Sequence, residues 1–255
     1  MQPVLLPGYT AVRRDFVFDQ TCDRCHRQLP TNIAIILRGA NGREAPFGPT
    51  CAVKALGKPV GPIPNLTTAA ILEVRDRHIV ETVEKEHLDR SSVPGAVKPR
   101  RGKQLQEELD VERAATYLEL RMGHLAKCPG VFYRPLLDAY NLLKGGQSLA
   151  KDHVSHILKI EKFNEENKPQ FSLGNLLAVY AFECGISAAL SQVQGDRRGF
   201  LLGMRRALRQ NLFLTASQAA AVSSWLRRIP NQPDLDPSAF SWAWGSRADK
   251  GPRSK

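Results

Sequence analysis

From residue 104 onward, apolar residues recur every three or four positions between charged ones, the period of helices that bury one face. The pattern predicts helices near 104–127, 132–144, 149–163, 172–193, 198–210 and 215–228. Shifted by 65 residues, the first three fall on the last three: Tyr117 on Phe182, Leu125 on Leu190, Leu136 and Leu137 on Leu201 and Leu202, Leu143 on Leu208, Leu149 on Leu214, Ile157 on Val222, and Ile160 on Trp225. Two related three-helix units packed as one helical bundle are expected over 104–230.

The first quarter of the chain has a different rhythm. Phe16-Val17-Phe18 ends a strand within 9–20, and Asn32 to Leu37 is a second, β-branched and apolar. Asn41-Gly42 is a two-residue turn signal, after which Glu44 to Phe47 returns. Gly48-Pro49-Thr50 then opens a short helix that stops at Gly57. Lys58 to Pro64 is a Gly/Pro connector, 65–90 holds an amphipathic helix, 91–103 reads as a flexible basic linker, and 231–255 is an aromatic and basic tail. The expected fold class is mainly α, with a small N-terminal α+β module over 1–64 ahead of the helical bundle.

That module carries the candidate chemistry. Cys22 and Cys25 form a Cys-x-x-Cys pair, and Cys51 follows at the start of the short helix. Knuckle, hairpin and a ligand at a helix start is the order of a treble-clef-like zinc-binding module, so Zn2+ is the expected cofactor. The usual fourth position, one turn after Cys51, is Lys54. His26 is the nearest substitute in sequence, although its adjacency to Cys25 strains a shared metal. Asp19, Asp23, His78, His87 and a cysteine of the second half are the other candidates. Two readings stand beside zinc: Cys22 to His26 spells a haem c attachment, which requires export, and the cysteines are otherwise small buried residues without metal. The N-terminus lacks the basic start and long apolar core of a signal peptide. The odd number of cysteines suits a reducing cytoplasm, the expected location.

A net charge of +11 in 255 residues changes the picture from a bare scaffold to a protein that attracts polyanions, nucleic acid first. Arg13, Arg14, Arg24, Arg27, Arg38 and Arg43 surround the zinc module; Arg100, Arg101 and Lys103 lie in the linker. Arg197, Arg198, Arg205, Arg206, Arg209, Arg227 and Arg228 crowd the second helical unit, with no acidic residue between 197 and 228. Such a cluster is self-repelling unless an anion lies on it, so these positions are expected to contact phosphates. Trp242 and Trp244 would stack on bases or a partner, or staple the C-terminus to its own domain.

No P-loop, Gly-x-Ser-x-Gly, His-Glu-x-x-His or Gly-x-Gly-x-x-Gly occurs, and the i, i+3 pair His153 and His156 has no matching Glu, so no enzyme is expected. No apolar run approaches eighteen residues, so no membrane partner is expected.

The order of Cys22, Cys25 and Cys51, a basic linker and a basic helical half resembles the Cas8-like large subunit of type IV CRISPR effector complexes. The resemblance implies a non-catalytic subunit of a multiprotein complex. It would lie near the 5′ end of a guide RNA, read a short duplex motif beside the target DNA and steady the opened strands. A free-standing zinc DNA- or RNA-binding protein and a helical adaptor docking through Trp242 and Trp244 are the alternatives.

Overall fold

A computed structural model describes residues 8–18, 20–29, 32–67, 99–228 and 235–244. Three antiparallel strands, β1 (Thr10–Phe16), β2 (Ile33–Arg38) and β3 (Glu44–Phe47), form one sheet in the order β1-β2-β3. Ile35 pairs with both Arg14 and Phe47, which makes β2 the central strand and explains its near-continuous apolar run. A bulge between Ala11 and Arg13 kinks β1. The β2–β3 turn is closed by the Gly39 N–H on the Arg43 carbonyl, with Gly42 at φ 78°, where only glycine is unstrained. Pro46 lies in β3, an edge strand, where its missing N–H breaks no ladder between paired neighbours.

Helix α1 (Pro49–Leu56) starts directly from β3 and ends at Gly57 in the left-handed conformation. Beyond it, Ile63 to Thr67 lies parallel to β1: the Arg14 N–H donates to the Pro64 carbonyl and the Leu66 N–H to that of Arg14. Asn65 then donates through its backbone to Thr116 Oγ1. The amphipathic helix expected over 65–90 falls mostly outside the described residues. The linker expected over 91–103 is corrected at its end, because Pro99 opens helix α2 (Pro99–Leu118). Proline suits a first helical position, where no intrahelical N–H bond is lost.

α2 passes into a π-helical turn, Glu119–His124, and then come α3 (Leu137–Lys144), α4 (Lys151–Asn167), α5 (Leu173–Gln192), α6 (Asp196–Asn211) and α7 (Ala216–Leu226). The chain is therefore mostly helical, and each of the six helical stretches read from periodicity has a counterpart. The 65-residue offset links positions of matching exposure: Tyr117 and Phe182 are both buried, as are Leu136 and Leu201, and Ile157 and Val222, while Leu137 and Leu202 are both exposed. It also carries the first residue of α4, Lys151, onto that of α7, Ala216.

One apolar cluster fills the helical part and takes in Phe16 and Leu66 from the N-terminal part; a second lies between the sheet and α1 around Leu37, Phe47 and Ala52. α5 is long and apolar enough by length and composition to cross a membrane, contrary to the reading that no run approaches that length. Residues on all its faces are buried inside the protein, and a helix apolar all round is a core helix in such a setting.

Candidate metal centre

The knuckle is a hydrogen-bonded loop before it is a metal site. The Cys22 N–H donates to the Arg27 carbonyl and the His26 N–H to that of Cys22, and the Asp23 N–H reaches the Pro46 carbonyl on β3. Edge strand and knuckle are thus tied together. Cys51 sits in the first turn of α1, which β3 delivers to the same place. The three sulfurs of Cys22, Cys25 and Cys51 lie within 4.8 Å of one another, with Cys22 buried, Cys51 half-buried and Cys25 exposed. Two thiolates on a tetrahedral zinc with bonds near 2.3 Å would stand about 3.8 Å apart, so the cluster is close enough to hold a metal ion.

The donors around the sulfurs fit that role. Burial works against a Cys22 thiolate, but backbone N–H groups of Gly48, Cys25 and Arg24 point at its sulfur and, with the Cys25 thiol, bring it down to about 7. Cys51 moves the other way: burial, then the neighbouring Cys25 and Cys22 sulfurs, push it up to about 11. Three thiols this close cannot all ionise without a cation between them.

No fourth ligand joins the group among the described residues. His26 is exposed, with φ 55°, and lies outside the sulfur cluster; Asp23 and Lys54 are also exposed. The second-half cysteines are elsewhere. Cys128 and Cys184 belong to the helical core, and burial pushes both thiols up. Asp19, His78 and His87 lie outside the described residues.

The basic positions divide into two groups. Arg13 donates to Asp15 Oδ2 and Glu44 Oε2, both at 2.6 Å, and Arg38 donates to Glu44 Oε1 at 2.8 Å. Arg205 and Arg209 both pair with Glu183 on α5, which corrects the expectation of a cluster without carboxylates: the missing acid lies just before the stretch, on the helix packed against it. Arg198 donates to the Leu190 carbonyl near the end of α5. In contrast, Arg24, Arg27, Arg43, Lys103, Arg206 and Arg228 are exposed and have no ion-pair partner among the described residues. Arg227 is exposed and Arg14 half-buried. Arg100, Arg101 and Arg197 lie on the helix backbones of α2 and α6.

The tail takes the inward alternative. Trp242 Nε1 donates to Asn175 Oδ1 at 2.9 Å and Trp244 Nε1 to the Leu214 carbonyl at 3.0 Å, while Phe240 packs on Phe182. Both tryptophans are half-buried and stapled to the helices through their indole N–H groups, the inward of the two expected arrangements. The sequence reading passed over Arg121, a buried arginine on the π-helical turn. Its only sequence signal was a lone cation in an otherwise apolar helical face.

Fold and site together define a mostly helical protein with a small three-stranded sheet and a three-cysteine cluster able to hold a metal ion. Comparison with protein-family models, curated proteins and solved structures gave no match.

Proposed function

We propose that this is a nucleic-acid-binding protein whose N-terminal module is folded around zinc. The observation that carries the reading is that Arg24 and Arg27 flank Cys25 in the knuckle, both exposed and without an acid partner among the described residues. Zinc would be held by the thiolates of Cys22, Cys25 and Cys51, would neutralise their charge and would fix the knuckle on α1. Asp19, His78 and His87 each carry an atom suited to the fourth position. Arg24, Arg27 and Arg43 then present guanidiniums on one compact module to a phosphate backbone. Arg206 and Arg228 extend the basic surface on the helical part, whereas Arg13, Arg38, Arg205 and Arg209 serve the fold through their carboxylate partners.

The narrower form of this reading is a non-catalytic subunit of an RNA-guided DNA-targeting complex of the type IV CRISPR kind, in a reducing cytoplasm. What supports it is the order of knuckle, third cysteine and basic helical half.

Two measurements test the proposal. Short-duplex binding by the full chain should weaken with salt, and replacing Arg24, Arg27 or Arg43 by Ala should reduce the log–log salt slope by about one per arginine. Binding that ignores salt, or slopes unchanged in all three variants, overturns the nucleic-acid reading. Mild purification from the native host should give one zinc per chain, a uniform small RNA and a fixed set of protein partners. A lone chain with random or no nucleic acid overturns the complex reading.

A further inference from the structure

A second place on the molecule has the makings of a binding site, and it lies in the helical part, away from the cysteines. Arg121 is 3% exposed and has no carboxylate within ion-pair distance among the described residues. Its Nε donates to the Val131 carbonyl at 2.8 Å, one terminal nitrogen to Tyr117 Oη at 3.1 Å and the other, more weakly, to the Gly130 carbonyl at 3.4 Å. The rings of Tyr117, Tyr133 and Phe171 surround the guanidinium at 5.1–5.6 Å. These contacts compensate part of the desolvation of a buried cation but leave its charge intact. Glu161, an acid whose charge bears on Tyr117, is held by Arg113 through two hydrogen bonds.

Arg121 also lines a cavity of about 370 Å³, at the lower end of the range for small-molecule sites. Lys159, Lys168 and His156 line it as well, and none of its lining residues is acidic. Tyr133 (40% exposed) and Phe163 (54%) give it aromatic wall surface that no part of the described chain covers. Asn164 is buried in the wall, with its Nδ2 donating to Tyr117 Oη and the Ile160 carbonyl. The geometry is built rather than incidental: the π-helical turn displaces Arg121 from α-helical register, and a Cβ at Gly130, which has φ 74°, would come within 2.9 Å of Phe171.

We infer that this cavity binds one nucleotide unit, its base stacked on Phe163, the more open of the two rings, and its phosphate drawn by Arg121, Lys159 and Lys168. Rings with open faces beside unpaired cations are what a base and its phosphate require together, and base stacking tolerates any base. The inference rests on the cavity itself and takes from the preceding proposal only the class of ligand.

The test is calorimetric titration of the full chain with AMP, with adenosine and with a 5′-phosphorylated ten-residue oligoadenylate. AMP should bind, and Phe163→Ala should weaken it at least about fivefold, the lower bound for losing one stacking ring. Lys168→Ala should weaken AMP but leave adenosine unchanged, a split that a merely structural lysine would not produce. Both variants alter exposed side chains, so folding is not at stake. Oligoadenylate that competes with AMP and shares the Phe163→Ala loss assigns the site to a strand end; AMP binding without competition assigns it to a free nucleotide. Either supports the cavity. Absence of AMP binding, or AMP affinity indifferent to Phe163→Ala, overturns it. Replacing Arg24, Arg27 and Arg43 together should leave AMP affinity unchanged. AMP binding without duplex binding removes the knuckle proposal alone, and the reverse removes the cavity alone.

Discussion

Asp15 is a carboxylate that is 5% exposed, and its partners come from both parts of the chain: Arg13 and the Phe16 N–H from its own strand, and Tyr180 Oη from α5 at 2.8 Å. Burial raises the Tyr180 phenol far above its ordinary value, with Cys184 and Asp15 adding to it, so the phenol stays a donor at any ordinary pH. Tyr180→Phe keeps the ring in place and strips one donor from a buried charge. It should cost about 1–3 kcal/mol in urea unfolding, and a loss below about 0.5 kcal/mol would show the bond to be dispensable. Pairings of this kind were not legible in the sequence. Arg13 and Glu44 are 31 residues apart and Arg209 and Glu183 are 26 apart, so each arginine looked free until the strands and helices were folded together. The cysteines were legible because their chemistry is encoded in spacing; no fourth ligand was, because nothing in the spacing near Lys54 supplies one.

Among the elements, the strands, the Asn41-Gly42 turn, α1 and all six helical stretches follow from period and punctuation. The π-helical turn does not: it carries the buried polar residues Glu119 and Arg121, and no local propensity marks such a register shift. The start of α2 was missed for a related reason: Pro99 with two arginines after it reads equally as a basic linker or a helix N-terminus. The knuckle and α1 are coupled through Gly48, whose N–H points at Cys22 while its carbonyl starts the helix by accepting from Ala52. On the proposed zinc reading, stripping the metal at neutral pH leaves three crowded thiols and removes a contribution on the order of 10 kcal/mol. Segment-resolved hydrogen exchange should then lose protection from Cys22 to Leu56 while α4 and α5 keep theirs. Protection in the knuckle that is indifferent to the chelator would refute a structural metal.

At the scale of the whole molecule, several arginines are engaged with carboxylates inside the fold, which leaves the net charge of +11 unchanged but decides where it is displayed. Burial would raise Glu44, but hydrogen bonds from Arg38 and Arg13 outweigh it and hold the carboxyl down to about 2 against an ordinary 4.5. A depressed carboxyl stabilises the folded state fully above its unfolded value and loses that contribution as pH falls through the folded one. The melting midpoint should therefore drop between about pH 4.5 and 2. Glu44→Gln should start lower at neutral pH and fall less across that window; parallel curves would show that the pairing contributes nothing. Net charge predicted a basic molecule correctly in sum, but it could not say which cations are already engaged, since that depends on contacts between elements distant in sequence.

α5 has a further consequence. It is gripped by the π-helical turn and β1, through His124 and Asp15 against Tyr180, and by α6 and α7, through Glu183 and Leu226. Neither the elements before α5 nor those after it can therefore come away without uncovering the same apolar rod. The helices before α5 and the helices after it are therefore expected to unfold in one cooperative transition rather than as two independent ones.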